Sequence, residues 1–460
     1  MNRFEDDRFE EREKVLEIPK DVEELIDVLN EKDFDAFVVG GAVRDAMLGK
    51  EPNDWDLATS AHPREIIDIF KEEGYQVIPT GIDFGTVTVI VDKEPIEITT
   101  FRSDGEYSDG RRPDSVTYAS NIVEDLSRRD FTINAMAYSP RNGLIDPFRG
   151  QDDIKGKSIK AVGIASERFK EDSLRMMRAV RFSTRLDYKI EEKTKDAIKE
   201  NKDLIKNVSQ ERIRDELSKT LLTDRPSQGI NTLRETGLLD KVLPEIVDTY
   251  NFDQKNLHHD KDVYNHTLDV IDKVSDNIEV RMAALFHDSG KPKTFELDEN
   301  NQGRFFGHEK ESAKLAEEAM TRLTFSNKEI EHVKTLVKNH MTMHDDKPTD
   351  RSVKRFMNRV GEDRLENMFD LFKADRMSSA PEYQDVSKIE ELENRVNKII
   401  ENQEPIRVTD LDIDGHDLMD YGIRQGPEIG KTLNGLMEKV LDNPELNNKE
   451  ILLSMIKDLD

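Results

Sequence analysis

The hydrophobic period of this chain changes near Gly150, and that change limits the available folds more than any other feature. Before it, short apolar blocks alternate with helical stretches. Residues 21–30 (DVEELIDVLN) have helical spacing, AFVVGG reads as a buried strand meeting a turn, and AVRDAML continues as a helix. A helix is expected from His62 to about Glu73, and GTVTVIVD and IEITTF read as strands. After Gly150 almost every segment has a helical period. The expected class is α+β: a small mixed α/β head, then a mostly α-helical remainder with seams at the polar stretch 247–260 and near 402.

A chain of 460 residues predicts two to four domains. Cysteine is absent, so disulfides and thiolate metal sites are excluded and any transition metal must be held by His and carboxylates. The charged N-terminus lacks the apolar core of a signal peptide, and no apolar run approaches the roughly 18 residues that span a bilayer. The expectation is a cytoplasmic protein with no membrane association. A net charge of -28 opposes binding of a polyanion, yet residues 124–189 carry 14 Lys or Arg against 10 Asp or Glu. The excess acid is shared about equally between residues 1–123 and the C-terminal half.

Gly40 and Gly41 stand between the strand and the helix bearing Arg44, where glycine lets a backbone approach a phosphate and a helix start offers N–H groups. Asp54-Trp55-Asp56 follows. On an extended strand the two carboxylates share one face and converge on one hard cation, whereas in isolation the same triplet reads as a surface turn. Such a pair can hold Mg²⁺ ions that activate a hydroxyl and bind a leaving pyrophosphate. Glu97 points away from Ile96 and Ile98, either as a third acid or on a solvated strand face. Arg128-Arg129-Asp130, before what reads as a helical start in FTINAMAY, suits a triphosphate or a surface ion pair.

The motifs VVGGAVRDAMLG, NDWDLATSA, RRDFTINAMAY, EDSLRMMRAVRF and ERIRDELSKTLL, in this order across residues 21 to 240, resemble the class II tRNA nucleotidyltransferases. The resemblance implies a polymerase β-like catalytic head (21–150), a helical neck (151–245), a body (255–380) and a tail (400–460). It implies addition of CCA to tRNA from CTP and ATP without a template, by two-metal chemistry with Mg²⁺. The partners expected are tRNA and the two nucleotides, and no protein partner is predicted. An A-adding enzyme or a poly(A) polymerase of the same family is the near alternative. Carried over motif by motif, Asp54 and Asp56 match metal-binding acids, and Gly41, Arg44, Arg129, Asp172, Arg175, Arg178 and Arg181 match nucleotide-binding positions. Residues 102–113 (RSDGEYSDGRRP) resemble the flexible loop of members that switch from C to A.

On one helix, Asp172, Arg175, Arg178 and Arg181 would form a polar stripe opposite Leu174, Met177 and Val180. A carboxylate accepts from the amino group of cytosine or adenine while a guanidinium donates to the adjacent ring nitrogen. Uracil and guanine present a carbonyl and a ring N–H there, so polar groups are left unpaired at about 1–3 kcal/mol each. Arg178 and Arg181 are then expected to be free for the triphosphate.

In the helical half, His266, His287, Asp288, His308, His340 and Asp375 offer imidazoles and carboxylates for one or two divalent metals. The set resembles the HD phosphohydrolase superfamily, with His266, His287, Asp288 and Asp375 at its metal positions and His308 and His340 where some members hold a second metal. That implies a second divalent metal and a phosphohydrolase activity; in one alternative the whole chain is chiefly such an enzyme. Gly415, Gly422, Gly426 and Gly430 lie in a segment resembling the family tail, where glycine permits close approach of RNA or of another helix.

Overall fold

The computed structural model describes residues 16–52, 54–79, 81–104, 116–256, 260–342 and 348–456. The chain forms two compact units, Met1–Thr220 with Gln228–Val242, and Leu221–Ser227 with Leu243–Asp460. The long division falls just ahead of the polar stretch expected to be a seam.

The first unit opens with helix α1 (Lys20–Glu31), whose Val22, Leu25, Ile26 and Leu29 recur at helical spacing and are all buried. Each such side chain contributes about 1.5–3 kcal/mol when removed from water. Strand β1 (Ala36–Val39) is buried along its length because it runs between two others. Then come α2 (Gly41–Met47), β2 (Asp56–Thr59), α3 (Pro63–Glu72), β3 (Gln76–Ile78), β4 (Thr86–Val91) and β5 (Glu94–Thr100). His62 and Glu65 close a capping box at the start of α3. Strands β6 (Arg102–Asp104) and β7 (Val116–Tyr118) pair antiparallel as a separate ladder. The rest of the expected flexible loop, 105–113, lies outside the described residues.

After α4 (Ile122–Ser127), the segment expected to begin a helix instead makes one 3₁₀ turn (Thr132–Asn134) and strand β8 (Ala137–Ser139), which with β9 (Gly143–Ile145) completes the sheet. The strand order is β3-β4-β5-β2-β1-β8-β9, with only β2 and β5 parallel. The expected helical period was overridden because Ala137 and Tyr138 extend beside β1 and bury there. Phe37, Val39, Ala58, Phe101, Leu126 and Ala137 share one apolar cluster.

Helices then dominate: α5 (Gly150–Lys155), α6 (Ala165–Glu171), α7 (Arg175–Leu186), α8 (Glu192–Asn201), α9 (Gln210–Leu221), α10 (Pro226–Thr236) and α11 (Leu239–Val242). Asp172 belongs to none of them. It is extended (φ -138, ψ 103) in the break between α6 and α7, and its carboxylate accepts from the Leu174 N–H at 3.1 Å. The polar stripe expected to include it therefore starts at Arg175, while Leu174, Met177 and Val180 are buried as expected.

In the second unit, α12 (Val263–Lys273), α13 (Ile278–Phe286), α14 (His308–Arg322), α15 (Asn327–Asn339), α16 (Asp350–Val360), α17 (Leu365–Met377) and α18 (Ser387–Glu401) pack as a helical body. Phe356, Phe369 and Phe372 meet with ring centroids 6.1–6.2 Å apart. Leu418, Leu436, Val440 and Leu452 close a separate apolar cluster at the C-terminal end. No helix among the described residues is long and apolar enough to cross a membrane.

Candidate active site

Glycine is required where β1 turns into α2. Gly40 has φ 72 and ψ -123, and a Cβ there would stand 2.8 Å from Arg129 Nη1. The close approach seats the Arg129 guanidinium against the glycine pair. Arg44, one turn into α2, is buried; it donates to Asn134 Oδ1 at 2.6 Å and to Asp45 at 2.8 and 2.9 Å.

Asp54 precedes β2 and does not lie on an extended strand, which corrects the expected reason for its pairing with Asp56. Both nevertheless line one cavity of about 530 Å³. Because β2 and β5 run parallel with Leu57 opposite Ile98, and those two point into the core, Asp56 and Glu97 fall side by side on the other face. The Asp56 carboxyl is held above its ordinary range, first by partial removal from water, then by the charge of Glu97 and, more weakly, Asp54, against the pull of Arg129. Three acids crowded in this way fit a hard divalent cation, whose charge relieves their repulsion.

The facing wall is arginine. Eight arginines and four aspartates line this cavity in a chain of net charge -28. Arg128 and Arg129 both donate to the buried Asp125, at 2.7 and 3.2 Å. Burial pushes that carboxyl up, but the two guanidiniums outweigh it and hold it below its usual range. Arg178 donates to Asp130 at 2.7 and 2.8 Å, and Arg181 to Glu216 at 2.6 Å. Neither is free, contrary to expectation: in a part-buried cluster of like charges each guanidinium needs a counter-acid. Against the effect of burial, Arg178 and a hydrogen bond from Asn134 bring Asp130 down to about 2. The Phe182 ring lies 4.3–5.4 Å from the guanidinium carbons of Arg44, Arg178 and Arg181.

Asp172 and Arg175 line the same cavity as Asp54 and Asp56. Arg212 grips Asp172 through both oxygens at 2.8 and 3.3 Å. Arg175 Nη1 donates to Glu171 at 2.5 Å and to the Arg168 carbonyl at 3.2 Å, and Nη2 donates to the Arg128 carbonyl at 3.0 Å. Sequence reasoning passed over Arg212, Asn134 and Arg185. The first two lie inside quoted motifs, but nothing in local spacing shows that they reach the cavity.

In the second unit a separate cluster forms. His266, His287 and Asp375 present ligand atoms within 4.8 Å of one another, and so do Asp288, His308 and His340. The His266 and His287 Nε2 atoms are 3.3 Å apart, and those of His308 and His340 are 3.2 Å apart. Behind each ring, Nδ1 lies 2.6–3.3 Å from a backbone carbonyl, that of Ser378, Ala284, Phe305 or Val337. With Nδ1–H donating backwards, Nε2 lone pairs face one another, so each pair needs a proton or a metal cation between its rings. The donor set fits a divalent metal. All six residues expected from the sequence are brought together.

Carboxylates on and beside the central strand β2, lining an arginine-rich cavity, with a glycine turn between strand and helix, define a nucleotidyltransferase head. Comparison with known proteins agrees with that class. The poly A polymerase head domain family matches residues 36–160, a probable RNA and SrmB-binding site of polymerase A matches 187–249, and a putative tRNA nucleotidyltransferase domain 2 matches 306–456. The CCA-adding enzyme of Lactobacillus helveticus is 34% identical over 437 residues, covering 95% of this chain and 96% of the relative. That of Pediococcus pentosaceus is 48% identical over 219 residues, where the match spans about half of each protein, 48% of this chain and 54% of the relative. Among solved structures, the Bacillus stearothermophilus CCA-adding enzyme in complex with CTP matches with a TM-score of 0.70 at 27% identity, over 95% of this chain and 96% of that one. The chain belongs to the CCA-adding enzyme family.

Proposed function

We infer that this protein rebuilds the 3′ end of tRNA by adding C and A from CTP and ATP without a template, releasing pyrophosphate. The observation that carries this reading is that the acids Asp54 and Asp56 line one cavity with Asp172 and Arg175 in a chain of this family. Asp54 and Asp56, with Glu97 beside them, would hold Mg²⁺; when bound, the cation favours ionisation of the attacking hydroxyl and offsets charge on the phosphates. Arg44, Arg129, Arg178 and Arg181 orient the triphosphate, with Gly41 admitting it close to the backbone. Asp172 keeps acceptor capacity for a base amino group while paired with Arg212, because a carboxylate offers about four lone-pair sites. Arg175 keeps Nε–H for the ring nitrogen. Selection of C and A over U and G thus requires no exchange of partners. The same reading places the chain in the cytoplasm, with tRNA.

Incubating the protein with tRNA lacking its last three nucleotides and each labelled nucleoside triphosphate tests this. Incorporation of C and then A is expected. Incorporation of U, or failure to incorporate C, overturns it; A alone would identify an A-adding enzyme, and long A tracts a poly(A) polymerase.

A second reading concerns the second unit, where the two histidine–aspartate groups favour a divalent metal centre with phosphohydrolase activity. If the chain were chiefly that enzyme, substitution of His287 and Asp288 would abolish its main activity and Asp54→Ala would spare it.

A further inference from the structure

We propose that Arg185 takes the terminal phosphate of the incoming CTP or ATP, and with it the pyrophosphate that leaves, so that the head cavity distinguishes a triphosphate from a diphosphate. This rests on the nucleotide-binding reading given above.

Seven of the eight arginines lining that cavity are already matched by an acid. Arg44 donates to Asp45, Arg128 and Arg129 to Asp125, Arg175 to Glu171, Arg178 to Asp130, Arg181 to Glu216 and Arg212 to Asp172. Arg185 is the exception. Among the described residues it has no hydrogen bond and no ion pair, and its side chain is exposed in the cavity wall. A guanidinium whose charge an acid already offsets still offers N–H groups, but its attraction for an anion is reduced. Arg185 supplies the cavity's one cation without a counter-acid. The terminal phosphate, whose second ionisation brings it close to two negative charges, is the part of the substrate that gains most from it.

Position along α7 selects the same group. The helix starts at Arg175, which with Asp172 is assigned to the base, and carries Arg178, Arg181 and Arg185 in order towards its C-terminal end. Arg178 and Arg185 stand two helical turns apart on one face, about 10 Å along the axis. A nucleotide with its base at the start of α7 and its phosphates against Arg178 and Arg181 therefore extends its last phosphate towards Arg185. The primer hydroxyl has to reach Asp54 and Asp56 instead, and the arginine whose charge acts on Asp56 is Arg129, outside α7.

Isothermal titration of the full chain with CTP and with CDP, in Mg²⁺ and without tRNA, tests this. Arg185→Gln removes the charge from an exposed side chain; it should weaken CTP binding about tenfold and leave CDP binding within about twofold. Arg185→Lys, which keeps a charge, should recover most of the loss. In the reverse reaction on tRNA ending in CCA, Arg185→Gln should raise KM for pyrophosphate by about tenfold as well. Equal weakening of CTP and CDP, or no weakening of either, overturns the inference. So does an unchanged CTP affinity with a raised KM for tRNA, which would assign Arg185 to the RNA backbone. Failure of the unaltered protein to bind either nucleotide removes the nucleotide-binding reading and the inference with it.

Discussion

Asp172 shows how much one residue's surroundings decide. The sequence presents it as the first member of a helical stripe, yet it is extended, and its orientation comes from the Leu174 N–H on one side and Arg212, 40 residues away, on the other. Arg212→Ala should therefore leave the fold intact and raise misincorporation of U relative to C about tenfold, the scale of one misplaced buried polar contact; unchanged discrimination in a competition assay would show that Arg212 does not position Asp172. Asp54→Ala and Asp56→Asn should each lower nucleotide incorporation at least ~100-fold, more than the loss of a partner outside the metal's own ligands. Single-turnover rates at saturating CTP check this. The acid side of stability rests partly on Asp130. Its folded pKa of about 2 lies below the unfolded 3.8, so its contribution, on the order of 2 kcal/mol, is present above pH 4 and lost as pH falls through about 2. An acid-unfolding series comparing the protein with Asp130→Asn should show a difference that narrows from pH 4 towards pH 2.

At the scale of elements, the turn from β1 into α2 illustrates why a glycine pair was readable and its purpose was not. The pair after a buried strand announces a tight turn, but only the tertiary structure shows Arg129 filling the space a side chain would take. Gly40→Ala should displace that guanidinium and raise KM for CTP and ATP about tenfold, with kcat less affected; equal effects on both constants would place the fault elsewhere. The strand β8 was misread for a related reason. FTINAMAY carries apolar residues that suit a helix, and its strand conformation is set by pairing with β1 across nearly a hundred residues. The alternation in β4 and β5 was strong enough to read locally, and it also placed Glu97 on the face opposite Ile96 and Ile98.

For the whole molecule, the acidity and the proposed substrate are reconciled by segregation. Arginines outnumber aspartates in the head cavity, eight to four, while the chain carries -28. Binding of tRNA should therefore weaken linearly in log Kd with log salt, because phosphate contacts release counterions, despite a negative overall charge. A flat or opposite dependence in filter binding between 50 and 200 mM salt would mean that the arginine wall does not meet the RNA backbone.

Sequence by itself determined the α+β division, the first helices of the head, the acids at the head and all six histidine and aspartate members of the second cluster. These were legible because periodicity is local and because few residue types bind metal, so their spacing within motifs carries the chemistry. What only the tertiary structure decided is the partnership of each charge: Arg178 with Asp130, Arg181 with Glu216, Arg212 with Asp172, and Asp288 between two pairs of imidazoles. A buried charge takes whichever counter-charge the packing brings within about 3 Å, and that distance is fixed by the crossing of elements far apart in the chain, which no local pattern encodes.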